Sequence, residues 1–252
     1  MNYFRCVAAI TVLLGAAPLW ATSVVLDQIG DELIYDPSSE MSPSVSQVFT
    51  DFPDFSSIAL DDFAVAASEL RLESIEALVR AGNGFSSFSL VEEFQLSIFT
   101  GSSPDGSTLE GDVANLLFDP GDFSVTVTQI GSTDVALISL STNIVLPSAG
   151  SYSVGLASVA SNSGAGTFYV LNNGQSSPGL PGNSDGIFLN PDQGFGGDAV
   201  TGTNFDFAYR VTATAVPEPA GGSLLAVGLL GLVFHRRMPK GRRPAVGTGS
   251  TS

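Results

Sequence analysis

One cysteine, one histidine and one tryptophan occur in the whole chain, and all three lie near its ends: Cys6, Trp20 and His235. Between Val24 and Val216 there is also no lysine, and Arg71, Arg80 and Arg210 are the only bases. These absences exclude a good deal of chemistry. Ser-His-Asp, Cys-His and Ser-Lys arrangements each need a base that this stretch lacks. Zinc sites with His or Cys ligands fall for the same reason, no disulfide can form within the stretch, and the GxxxxGK[ST] phosphate cradle does not occur. Stability must therefore come from a packed core.

Acid is plentiful where base is scarce. The formal net charge is −16, and every Asp and Glu lies between Asp27 and Glu218. A body of that sign repels phosphate backbones and anionic lipid, which argues against nucleic acid as a partner and in favour of cations.

The ends read as targeting segments. Met1–Arg5 is short and positive, and CVAAITVLLGAAPLWA, residues 6–21, is apolar and ends in small residues. Residues 1–23 are thus expected to be a secretory signal peptide for the Sec translocon and signal peptidase, with cleavage after Ala21 or Ser23 equally suited. Cys6 leaves with it.

From residue 24 to residue 213 the chain alternates short apolar runs with Gly, Ser, Asn, Asp and Pro clusters, the pattern of strands and turns. FQLSIFTG, FSVTVTQIG, VALISL, SYSVGLASV, TFYVLN and FDFAYRVTATA are the clearest strands. In FSVTVTQI, Phe123, Val125 and Val127 are expected on a buried face, with Ser124, Thr126 and Thr128 on a wet one. The fold class expected is mainly β, a two-sheet antiparallel sandwich of jelly-roll type, forming one ectodomain. ELRLESIEALVRAG, residues 69–82, suits an amphipathic helix and an alternating strand equally well by periodicity. NNGQSSPGLPGNSDG, residues 172–186, reads as a turn-rich surface loop.

After the body come Val216, Pro217, Glu218 and Pro219, an apolar segment 220–234, and then His235, Arg236 and Arg237. As a helix, the segment would span ~22 Å against a hydrocarbon core of ~30 Å. It is a marginal anchor, oriented by its bases with the body outside and the tail in the cytoplasm. The prolines fix their own φ and hold Glu218 extended just outside the membrane face, as a protease substrate requires. A single-pass anchor with a proline linker is the plain alternative.

VPEP, the Gly-rich apolar segment and the Arg cluster together resemble the PEP-CTERM sorting signal of Gram-negative bacteria, processed by the membrane enzyme exosortase. The resemblance covers residues 214–240 and departs from the pattern in the extra tail, 241–252, read as disordered. It implies that Val216, Pro217, Glu218 and Pro219 are the recognition residues and Arg236 and Arg237 the stop-transfer bases. It further implies transient residence in the inner membrane, then the cell surface, outer envelope or extracellular matrix, with exopolysaccharide as a partner.

The body also resembles β-sandwich ectodomains carried by such anchors, in ALDDFAV (59–65), LPSAGSYSVGLAS, LNPDQGFG and FDFAYRV. An early A-x-D-D-F strand and a closing D-x-A-F/Y-R/K-V strand mark that resemblance, which would make residues 69–82 a strand. It carries fold rather than activity.

Carboxylates are what remains for chemistry. Calcium suits oxygen-only ligands, and Asp61, Asp62, Asp192 and Asp198 are the candidate ligands; no other cofactor is expected. A glycosidase pair would draw on Asp61, Asp62, Glu92 and Glu93. Tyr152, Tyr169 and Tyr209 lie on strand-like runs and are expected to pack. The reading is an exported, non-enzymatic structural or interaction module, with a lectin-like sugar-binding ectodomain as the alternative and a carboxylate-pair glycoside hydrolase behind it.

Overall fold

A computed structural model describes residues 22–29, 44–66, 70–82, 88–102, 104–130, 133–172, 186–203 and 205–216. The chain divides into two units, Met1–Val216 and Pro217–Ser252, and the described residues all belong to the first. Residues 1–21 of the expected signal peptide, the segment 220–234 and the tail 241–252 lie outside them, while Ser23, the last residue of that expected peptide, opens the first strand. No helix among the described residues is long and apolar enough to cross a membrane.

Among the described residues, fourteen strands form two sheets of seven. The first sheet holds β1 (Ser23–Asp27), β2 (Ser44–Val45), β5 (Leu70–Gly82), β8 (Phe123–Ile130), β9 (Thr133–Leu146), β11 (Thr167–Val170) and β14 (Tyr209–Ala215). The second holds β3 (Gln47–Phe49), β4 (Ile58–Val65), β6 (Glu93–Thr100), β7 (Ala114–Phe118), β10 (Gly150–Ala160), β12 (Ile187–Leu189) and β13 (Val200–Gly202). All pairs are antiparallel except the short β3–β10 contact. The mainly β, two-sheet class expected from the sequence is the one observed.

The segment that periodicity left open is β5, the longest strand of its sheet but one. Its apolar alternation runs Leu70, Leu72 and then Ile75, Ala77, Val79, because the register shifts between Leu72 and Ser74. A bulge there moves the buried face from even to odd positions, so Leu72, Ile75, Ala77 and Val79 all reach the core. The same phase slip made the sequence look half helical. On one side β5 carries β14 and then β11 end to end, and on the other side it carries β9.

The inner faces meet in one core. Leu72, Ile75, Ile138, Leu140 and Val211 come from the first sheet, and Phe63, Phe94, Leu96, Ile98, Val154 and Leu156 from the second. The outer face of the second sheet is covered too. Ile58, Leu60, Phe99, Ala157 and Leu189 form a smaller cluster there, with Leu109 of the following loop packed on it. The Leu109 carbonyl accepts from Ser97 Oγ at 2.6 Å and Gln95 Nε2 at 3.1 Å, which explains why β6 is buried on both faces. At β8 the expected alternation holds for Phe123 and Val125, which pack on the core, and for exposed Ser124 and Thr126. Val127 corrects it: the side chain is 58% exposed although it shares their face.

Candidate functional site

The two marker strands of the sequence meet inside the sandwich. Asp61 is flanked on β4 by Ala59 and Phe63, both of which belong to the inter-sheet core, and it is only 2% exposed. Its Oδ2 accepts the N–H of Phe207, which stands just before β14, at 2.6 Å, and its Oδ1 accepts the Asp62 N–H at 2.8 Å. Returning the connection, Tyr209 donates its hydroxyl to the Ala59 carbonyl at 2.8 Å and accepts the Leu156 N–H at 2.9 Å. Burial, with the neighbouring Asp206 carboxylate, holds the Asp61 carboxyl well above the usual carboxylate range. Burial likewise raises the Tyr209 phenol.

These bonds sit where a strand changes partner. β10 pairs with β4 from Gly150 to Gly155 and with β3 from Ser158 onward. Leu156 lies in the gap, and there Tyr209 satisfies its N–H while Ser46 Oγ donates to its carbonyl at 2.6 Å. Tyr209 therefore has the packing role expected of it, with a polar duty added. Behind it, Arg210 bonds Asp27 and Glu76, both at 3.1 Å, tying β1, β14 and β5 together on the outer face.

This placement redefines the carboxylate candidates. Asp61 is committed to main-chain N–H donors inside the core, so no sugar or hydrated ion meets it from solvent. Asp62 is half-buried on the opposite face of the strand. Asp192 and Asp198 are exposed in the loop after β12. Ile187 pairs with Leu60 while Leu189 pairs with Ile58, so Asp61 stands toward one end of β12 and the Asp192 loop leaves from the other. The four do not converge, and among the described residues no three Asp, Glu, His or Cys side chains gather as a metal-binding group. Glu92 is exposed and Glu93 half-buried at the start of β6, adjacent in sequence and so not facing one another.

What the sequence did not single out is an aromatic pocket. A cavity of about 390 Å³ is lined by Phe49, Phe52, Phe55, Tyr169 and Phe195, with Asn162 and Thr167 supplying polar atoms. Phe52, Phe55 and Phe195 are 49%, 41% and 46% exposed, and they are the exposed aromatic side chains of the described residues. Phe55 and Phe195 meet edge to face at 5.4 Å, and the Arg80 guanidinium stands 5.4 Å from the Tyr169 ring centre. The size lies within the range of small-ligand sites.

Two clamps hold the walls. Asp51 accepts the N–H groups of Asn162 and Ser163 at 2.8 and 3.0 Å and the hydroxyls of Ser161 and Ser163, fixing the Phe52 turn to the Asn162 turn. Those bonds hold its carboxyl well below the usual range. Opposite, the Gly194 N–H donates to the Asp54 carbonyl at 3.0 Å, bringing the Phe195 loop onto the Phe55 turn. A Cβ on Gly194 would collide with that carbonyl. The signal for this pocket was in the sequence as phenylalanines set in turn contexts, DFPDF and QGFGG, where a core role is unavailable.

The C-terminal motif begins where the sandwich stops. β14 ends at Ala215, and half-buried Val216 is the last described residue. Pro217, Glu218, Pro219, Arg236 and Arg237 lie outside the described residues. A two-sheet β domain thus runs directly into the C-terminal motif. Residues 215–237 match the family model described as the PEP-CTERM protein-sorting motif. The chain thus carries the signal of an exported protein, processed by exosortase and transiently anchored in the membrane before sorting. No curated protein and no solved structure matches it.

Proposed function

We propose that this protein is a non-enzymatic structural or interaction module, delivered by exosortase to the cell surface or extracellular matrix together with exopolysaccharide. One observation carries the reading: a single residue, Val216, separates the last strand from the proline of the sorting motif. A folded domain abutting the processing site is cargo, and the motif is its address. The proposal assigns the sandwich no cofactor. The test replaces Pro217, Glu218 and Pro219 with alanine in the native host and follows the protein by fractionation. Retention in the inner membrane, with loss from the surface and medium, supports the reading; unchanged distribution overturns it.

A lectin-like reading is favoured by the aromatic pocket. Rings that can stack on a sugar face stand beside the Asn162 amide and Thr167 hydroxyl. It is tested by binding of the host's own polysaccharide, with and without calcium. Loss of binding in Phe195→Ala supports it. Binding that is absent, or indifferent to Phe195, removes it.

A further inference from the structure

The flank formed by β7 and β8 is the least protected part of the sandwich. Among the described residues, β8 pairs with β9 and with no other strand, and β7 pairs with β6 alone. Four residues, Asp119 to Asp122, join these two edges. An edge strand presents alternate N–H and C=O groups without strand partners, and proteins commonly blunt it with shortness, charge or proline. The other edges follow that rule: β2 has two residues, β13 has three, and Asp27 of β1 is ion-paired. β8 breaks it, with eight residues and no charge or proline. Leu116 and Leu117 on β7 and Val127 on β8 are exposed along this flank.

We infer that β8 is a self-association edge, and that its partner is β8 of a second copy of this chain, paired antiparallel about a two-fold axis through Thr126. The sequence FSVTVTQI is nearly self-complementary in that register. Thr126 faces its own copy, Val125 faces Val127, and Ser124 faces Thr128. Opposed residues in an antiparallel pair share a face, so a two-fold normal to the sheet must pass through a residue; Thr126 and Val127 leave overlaps of equal length, and Thr126 is the one that sets Val125 against Val127 and Ser124 against Thr128. The register also explains the exposed valine: Val127 gains Val125 of the second copy as its cross-strand neighbour. The resulting sheet runs across both copies. The acidic charge of each body opposes the approach, so association strengthens with salt.

The test uses the full chain in mild detergent, with Cys6→Ser as background. Sedimentation velocity across a concentration series is expected to show a monomer–dimer equilibrium that shifts toward dimer as salt rises. V127K places like charges at the centre of the edge and is expected to weaken dimerisation about tenfold or more, whereas T201K on the short β13 edge leaves it unchanged. Circular dichroism confirms that both variants fold. Register is read separately: T126C cross-links to itself under mild oxidation, because opposed Cα atoms lie within disulfide reach. S124C does not, since it faces Thr128. A chain that stays monomeric at every concentration and salt overturns the inference, as does V127K associating like the parent or folded T126C failing to cross-link.

Discussion

Replacing Tyr209 with phenylalanine removes one oxygen atom and leaves two buried main-chain groups without their partner. The Ala59 carbonyl and the Leu156 N–H both bond the Tyr209 hydroxyl, and tyrosine, alanine and leucine there are all fully buried. An orphaned buried donor or acceptor costs about 1–3 kcal/mol, so the pair predicts a loss of about 2–6 kcal/mol. That is a large part of the 5–15 kcal/mol typical of a domain. In urea denaturation, with a slope of about 2–3 kcal/mol per molar, the midpoint should fall by about 1–3 M. Tyr152→Phe is the control: its hydroxyl donates at 2.8 Å to the carbonyl of Ser148, an exposed residue whose carbonyl water can serve instead. Its cost should stay near 0.5–1.5 kcal/mol, roughly that of an ordinary hydrogen bond. If Tyr209→Phe costs no more than Tyr152→Phe, the reasoning about the strand gap is wrong.

Three further outcomes follow from the same geometry. The Asp61 carboxyl titrates well above its ordinary 3.8 when folded, so its contribution to stability is complete below that value and is lost as pH rises toward the folded pKa. Asp61→Asn should therefore stabilise the protein more at about pH 8 than at about pH 4.5 relative to wild type, by urea midpoints; an equal offset at both would refute the shift. Asp51 runs the other way: its carboxyl is depressed well below 3.8, so its contribution is complete above that value and is lost as pH falls from there through the depressed folded value, where the clamp opens. Acid should loosen the aromatic pocket before the core unfolds in wild type, and proton exchange at Asn162 and Ser163 should show it, with Asp51→Asn already loose at neutral pH. Gly155 lies against Leu60 and Ile58, and a Cβ there would stand 2.8 Å from Ile58 Cδ1. Gly155→Ala should cost about 1–3 kcal/mol by overpacking, and a neutral thermal melt would contradict that contact.

Much of the fold was legible because strand alternation is a local signal. β6, β8, β10 and β11 announce themselves by period and turn residues. β5 did not, since its bulge shifts the apolar phase and mimics helical spacing; only resemblance to related ectodomains tipped it toward strand. β12 and β13 are three-residue strands, too short for any period to show. The carboxylate candidates were misleading for a different reason. Asp61 and Asp62 read as adjacent candidate ligands, yet alternation sends Asp61 into the core, where only the main-chain N–H of distant Phe207 explains it. The pocket depended on loops distant in sequence, Phe52–Phe55 and Phe195, which no local pattern connects. The sorting motif was legible because its meaning lies in the order of residues along the chain and needs no tertiary contact.

The central claim is that this sandwich is cargo cut from a C-terminal address, and the chain end tests it most directly. Mass spectrometry of the protein from the host's envelope and medium should find C-terminal peptides ending near Pro217 to Pro219 and nothing from Leu224 onward. An intact tail through Arg243, recovered in the inner membrane, would contradict the account and leave a simple anchored ectodomain.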